Sequence, residues 1–265
     1  MKIAVISDIH SNPTALNTVL GDARHKGCDE IICLGDIVGY GYDANECIDI
    51  CRQEGVECFI GNHDAGLVGE LGLDWFNDYA RYAVQRQRKT VTEDNKEWLQ
   101  HLPYAKVKAW PEGEADFKVA FSHGTYELPE RFDYILSNSD AALEFLTLSE
   151  KKIRVLFVGH THCANAYFYN KGHISEGYID LEDEVEIALD KWDSTIINVG
   201  SVGYPRSQPY SIYGIYDTES HIFKHRILPF DFDDYIAQME KGGIKVPLWV
   251  ESRKKQAEER QIGFR

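Results

Sequence analysis

The chain has 265 residues, 43% of them hydrophobic, and 43 acidic against 28 basic side chains give a formal net charge of −15. That length suits one large α/β domain, expected over residues 1–265, and the acidic balance argues against a broad basic face for extended duplex nucleic acid. No run approaches ~20 apolar residues and the N-terminus enters a strand without a basic leader, so neither membrane insertion nor export is expected. Six cysteines, with Cys33 and Cys58 inside apolar runs, read as buried thiols of a reducing compartment, with the cytoplasm as the default.

The N-terminal third alternates period-2 and period-3.6 patterns. It predicts a strand over Lys2–Ser7, a helix over Asn12–Lys26, a strand over Glu30–Leu34, a helix over Asp43–Glu54 and a strand over Val56–Ile60. Such alternation predicts parallel strands with right-handed crossovers. Residues 64–102 turn helical and aromatic, with Trp75, Phe76, Tyr79, Tyr82 and Trp98. This cap-like insertion is placed to act as a lid, to pack its own helices onto the core, or both. Strands are then expected over Tyr104–Lys108, Asp116–Ser122 and Arg154–Val158, with a helix over Asp140–Glu150. From Asn165 to Leu228, short alternating segments such as Tyr167-Phe168-Tyr169 predict a second, mostly antiparallel sheet, and residues 231–265 read as a helical tail.

Polar side chains with metal-ligating chemistry recur at the carboxyl ends of these strands. Asp8-Ile9-His10 follows the first, Gly35-Asp36 the second and Gly61-Asn62-His63-Asp64 the third. His123 follows Ser122, and Gly159-His160-Thr161-His162 follows four apolar residues. In parallel sheets, strand carboxyl ends share one rim, so the groups converge. Taken singly, several have plainer readings: Ser11 or Asn12 as a helix cap, Gly-Asp as an ordinary turn, a lone His123 as structural. Two histidines one residue apart after an apolar run are harder to satisfy as core. Imidazole plus carboxylate suits Mn, Fe, Zn, Co or Ni better than Mg.

Their order, with the wording Ile-Ser-Asp-Ile-His-Ser-Asn, Gly-Asp-Ile-Val-Gly-Tyr-Gly and Asn-x-Gly-Ser-Val-Gly-x-Pro-Arg (198–206), resembles the calcineurin-like metallophosphoesterase superfamily and its bacterial and archaeal phosphodiesterase branch. The resemblance covers about residues 1 to 228. It implies a four-layer α-β-β-α sandwich of two facing mixed sheets flanked by helices. It also implies two divalent transition-metal ions, manganese favoured. Asp8, His10 and His162 would hold one, Asn62, His123 and His160 the other, and Asp36 would bridge them. The implied reaction is hydrolysis of a small phosphate ester by a hydroxide shared between the metals. Two divalent ions, two carboxylates and that hydroxide leave roughly +1 on the site, which attracts phosphate. His63 fits a general acid, with Asp64 either holding its imidazole or capping the following helix.

Tyr40 stands where monoester phosphatases of the superfamily carry a phosphate-clamping Arg, which favours diesters, and Arg206 is a candidate phosphate contact or a structural ion-pair partner. The competing readings are a phosphomonoesterase, a dinucleoside polyphosphate hydrolase, or a non-catalytic protein scaffold that retains the metal site.

Overall fold

The first strand shows why the layers arise. In β1 (Lys2–Ile6), Ile3 and Val5 join one apolar cluster while Ala4 and Ile6 join another, and all four are fully buried. Side chains alternate along a strand, so such a run needs a packed layer on each face. The chain supplies one with α1 (Pro13–His25), β2 (Glu30–Cys33), α2 (Ala44–Gln53) and β3 (Glu57–Cys58). Parallel pairing sets Ala4 beside Ile31 and Cys33 beside Cys58. Asn12 starts α1 by accepting the Ala15 N–H at 3.1 Å, with Pro13 at the first helical position, and Asp43 starts α2 in the same way through Glu46.

The computed structural model describes residues 1–110, 117–178, 186–206 and 209–263, so the expected strand start at Asp116 lies outside the described residues. After β3 come α3 (Asn62–Val68), α4 (Asp78–Thr90) and α5 (Glu93–Gln100). α3 begins two residues before the expected 64, because Gly61 serves as its N-cap and the Asp64 carboxylate returns to the Gly61 N–H. Ala80, Val84 and Leu99 of this segment pack into the same cluster as α1 and α2, whereas Trp75 and Tyr82 stay exposed. The aromatic insertion therefore does pack onto the core.

The remainder comprises β4 (Ala105–Lys108), β5 (Lys118–Ser122), α6 (Asn138–Lys151), β6 (Ile153–Val158), β7 (Asn165–Asn170), β8 (His173–Tyr178), β9 (Glu186–Ala188), β10 (Ser194–Asn198), β11 (Tyr210–Asp217), β12 (Ile222–Pro229), α7 (Phe232–Lys241) and α8 (Trp249–Gly263). Two six-stranded mixed sheets result, in the orders β3-β2-β1-β11-β12-β9 and β4-β5-β6-β10-β7-β8.

The expected separate antiparallel sheet does not form. β10 runs parallel to β6 and carries the β7–β8 hairpin onto the second sheet, while the β11–β12 hairpin pairs antiparallel with β1 and extends the first. Alternation shows that a segment is a strand, but leaves its pairing partner open.

Between the sheets, Ile3, Val5 and Phe59 meet Phe121, Phe157 and Ile197. α1, α2 and α7 cover the outer face of the first sheet and α6 that of the second, completing the four layers. The helical tail is part of this packing, with Phe232, Tyr235, Met239 and Val250 buried in the first-sheet cluster. Among the described residues, no helix is long and apolar enough to cross a membrane.

Candidate metal centre and substrate cleft

The candidate ligands lie beyond the strands, in left-handed turns. β1 ends at Ile6, and Asp8 and His10 follow with φ of 56° and 48°; Asp36, His160 and His162 have φ of 54°, 67° and 63°. Alternation along a strand therefore does not align Asp8 with His10. The loops instead bond to one another: the Asp8 N–H reaches Gly35 O, His10 N–H reaches Asp36 O and Gly203 N–H reaches Asp8 O, each at 3.0 Å. Left-handed backbone is unfavourable at residues with a Cβ, and a cluster of such residues points to function. The loops approach so closely that a Cβ on Gly61 would fall on the Asp36 backbone nitrogen, and one on Gly203 on the Ile9 carbonyl.

Two buried donor groups result: Asp8, His10, Asp36 and His162 in one, and Asp36, His123 and His160 in the other. Within each, one potential ligand atom per residue lies within 4.8 Å of the rest. The Asn62 Oδ1 stands 3.2 Å from His123 Nε2, beside the second group. His10 donates Nδ1–H to Val38 O at 3.0 Å, and His162 donates Nδ1–H to Tyr204 O at 2.7 Å. Both Nε2 lone pairs are thus directed inward, 3.1 Å apart, an arrangement that repels unless a cation lies between them.

Other atoms agree. Asp8 Oδ1 and His160 Nε2 are buried without hydrogen-bond partners. The opposite carboxylate oxygens are tied, with His160 N–H on Asp8 Oδ2 at 3.0 Å and His63 N–H on Asp36 Oδ1 at 2.8 Å. Burial would raise both carboxyls, but His162 and His10 at Asp8, and His123 and His63 at Asp36, outweigh it and hold both below the usual range. Burial keeps His160 down at about 3, so it is neutral and able to ligate. At His123 burial is overcome by Asp36 and Asp8, which lift it to about 9 until a cation takes their charge. The donor set fits divalent metal ions.

The cleft above these groups encloses about 720 Å³ and includes Asp36, Asn62, His63, His160 and His162 in its lining. His63 packs its ring 5.0 Å from Phe76, and burial holds its imidazole down at about 3. Asp64 does not orient it. Its carboxylate instead accepts the backbone N–H groups of Gly61 at 2.9 Å, Val38 at 3.0 Å and Ile37 at 3.3 Å. That corrects the expectation that Asp64 holds the imidazole; it staples the Asp36 turn to the Asn62 turn, and its helix-capping role stands.

Tyr40 is only 3% exposed; it stacks on Tyr204 with centroids 4.0 Å apart and meets the His63 ring at 4.6 Å. Its ring faces are largely covered, although it still contributes to the lining of the cleft. Its hydroxyl accepts Arg206 Nη2–H at 3.0 Å, and the guanidinium lies 5.8 Å from the Tyr40 ring centroid. Arg206 lines the cleft with no carboxylate ion-paired to it among the described residues, whereas Arg131 is paired with Asp133 at 3.0 Å.

Several supporting residues escaped the sequence reading. Gln87 of α4 accepts the Gly39 N–H at 2.7 Å and donates to Ser11 Oγ at 2.9 Å, fastening the loop that carries Tyr40 to the one that carries His10. Trp249 of α8 packs 4.8 Å from Tyr204, and Arg253 Nε donates to the Arg206 carbonyl at 2.9 Å. Tyr134 stacks on His160 at 3.8 Å and lines the cleft. Only Tyr134 left a signal, a charged and aromatic stretch shortly after the strand that ends before His123; the others act across long sequence separations.

A four-layer sandwich with His–Asp groups buried at the junction of its sheets is the architecture of a metallophosphoesterase. The calcineurin-like phosphoesterase superfamily domain model matches residues 1–221, and the chain belongs to that family. It is 36% identical over 253 residues to an uncharacterised protein of Methanocaldococcus jannaschii, covering 95% of this chain and 96% of that one. It is also similar to a metallophosphoesterase from Sphaerobacter thermophilus, at 31% identity and TM-score 0.78 over 96% of this chain and 97% of that one. A hypothetical protein of Pyrococcus horikoshii shares the fold at 16% identity and TM-score 0.71, over 94% of this chain and 95% of that one.

Proposed function

We propose that the chain is a phosphodiesterase for a small phosphate ester, working with two divalent transition-metal ions, manganese favoured. The observation that carries this reading is Asp36, which belongs to both buried donor groups and so can serve two ions at once. Asp8, His10 and His162 complete one ligand set, and Asn62, His123 and His160 the other. When bound, the ions supply an activated water and polarise the phosphoryl oxygens.

The remaining work falls to the side chains lining the cleft. Arg206, braced by Tyr40, neutralises one phosphoryl charge. His63 lines the cleft beside Asn62 and is placed to give a proton to the leaving oxygen; the incoming phosphate supplies the negative charge that lets a buried imidazole hold that proton. Among the described residues lining the cleft, one cation free of a carboxylate, Arg206, suits the monoanionic diester better than the monoester dianion.

The test is to strip the protein with a chelator and restore it with Mn²⁺, following bis(p-nitrophenyl) phosphate and p-nitrophenyl phosphate. Turnover is expected to vanish and return, with a kcat/KM ratio of diester to monoester above one. A clear monoester preference overturns the diesterase assignment, and full activity after complete demetallation overturns the metal assignment.

A further inference from the structure

The cleft is far larger than a phosphoryl group needs. Its volume of about 720 Å³ falls in the range of sites that take a whole small organic ligand. One wall comes from the segment before α4, with Leu71, Trp75, Phe76 and Asn77, and the facing residues come from the stretch before α6, including Phe132 and Tyr134. Most of these rings are already engaged: Phe76 rests on His63, Tyr134 on His160 and Phe132 against Tyr104.

Trp75 is different. It is 90% exposed and no ring contact to it occurs among the described residues. A large indole left in water is uncommon, and it marks a surface that meets something else. The backbone beneath it is fixed on both sides. Arg81 donates Nε–H to Leu73 O at 3.1 Å and Nη2–H to Phe76 O at 2.9 Å, while the short turn Leu73–Trp75 closes through Phe76 N–H on Leu73 O. An open aromatic face on a pinned backbone is a prepared stacking platform.

Charge narrows the ligand further. Arg206 is placed to meet one phosphoryl group, Arg131 is ion-paired with Asp133, and Glu130 adds a further carboxylate to the lining. Among the described lining residues, a second phosphate would find only Arg131, already ion-paired with Asp133. From these observations we infer that Trp75 is the specificity-determining residue of the cleft, stacking on the planar base of a nucleoside-type phosphodiester that carries one phosphate. The inference rests on the diesterase reading of the same site.

Two measurements test it. In the Mn²⁺-loaded protein, kcat/KM is compared for thymidine 5′-(p-nitrophenyl phosphate) and methyl p-nitrophenyl phosphate, which share a leaving group and differ in carrying a nucleoside or a methyl group. Stacking of one base corresponds to a preference of about 5- to 150-fold for the nucleoside ester. That preference should fall to within about twofold of one in Trp75→Ala and persist in part in Trp75→Phe. In metal-stripped protein, adenosine 5′-(methyl phosphate) should quench part of the tryptophan fluorescence in the wild type and not in Trp75→Phe. A wild type that treats the two esters alike, or a nucleoside preference that survives Trp75→Ala unchanged, overturns the proposal. Quenching that depends on Trp75 in a protein that turns over only monoesters would retain the stacking site and overturn the diesterase reading instead.

Discussion

Asp64 separates two accounts of this site. Asp64→Ala removes the acceptor of three backbone N–H groups, from Gly61, Val38 and Ile37. Leaving a buried donor unmet costs about 1–3 kcal/mol, and several such losses here are offset in part by relief of a carboxylate that is itself unfavourably buried. Its burial, reinforced by the charge on Asp36, raises that carboxyl to about 7. The net destabilisation is then roughly 2–5 kcal/mol, or a fall in Tm of about 10 °C for a chain of this size. Because the freed N–H groups flank Asp36 and Asn62, metal affinity should fall as well, and activity should drop by the same factor whatever the leaving group. His63→Ala should behave differently: it leaves a cavity beside Phe76 and Tyr40 that lowers Tm, but it should retain its metal and lose about 10²- to 10⁴-fold in rate, with a smaller loss for good leaving groups. Differential scanning calorimetry, metal analysis and kcat/KM for aryl diesters of graded leaving-group pKa distinguish the two. The reasoning fails if Asp64→Ala melts like wild type, keeps its metal and reproduces the leaving-group dependence of His63→Ala.

Two further outcomes follow from a buried acid of α6 and from the Tyr40 hydroxyl. Glu144 in α6 is buried with its carboxylate on the Tyr126 N–H at 2.9 Å, and burial raises it from 4.5 to about 7. The folded state therefore binds this proton more tightly than the unfolded chain, so the stability it lends is complete below pH 4.5 and lost as the pH rises through about 7. Glu144→Gln should flatten Tm against pH across that window and raise Tm above it; an unchanged slope would refute the assignment. Tyr40→Phe keeps the stack on Tyr204 but removes the acceptor for Arg206, a loss of about 1 kcal/mol that should raise KM for bis(p-nitrophenyl) phosphate about fivefold with little change in kcat. An unaltered KM would show that Arg206 holds its place without Tyr40.

The buried donor groups were legible because each donor sits in a short local pattern at a strand end, and Asp36 could be picked out from Gly35-Asp36 once the other motifs stood around it. What those patterns do not encode is the backbone that aims them. Asp8 and His10 stand two residues apart at a strand end, where alternation would align them, yet both sit in left-handed turns held by loops from β2 and β10. The same limit applies to Asp64, whose neighbour in sequence is His63 but whose hydrogen-bond partners include Ile37 and Val38. Tyr40 stood out by its position after Gly39, but hydropathy could not show that Tyr204 would stack on its ring. The layers were legible where apolar runs demanded burial on both sides, as in β1, while the partition of β7 to β12 between the sheets depends on pairings that period-2 alternation leaves undetermined.

The placement of the donor groups across the junction of the sheets also bears on when a metal can be acquired. Asp8, His10 and Asp36 come from loops of the first sheet, and His123, His160 and His162 from loops of the second. His10 and His162, whose Nε2 atoms converge, are 152 residues apart in the chain. The Tyr204 carbonyl that sets the His162 tautomer arrives later still. A nascent chain emerging from the ribosome thus holds no complete site until most of it has been synthesised and both sheets have docked. Capture by a partly made chain, which favours whichever ion binds a few flexible histidines most tightly, has little to work on. On the proposed metal assignment, an ion meets a finished cavity, so the metal supplied after folding, and not during synthesis, should decide which ion is bound.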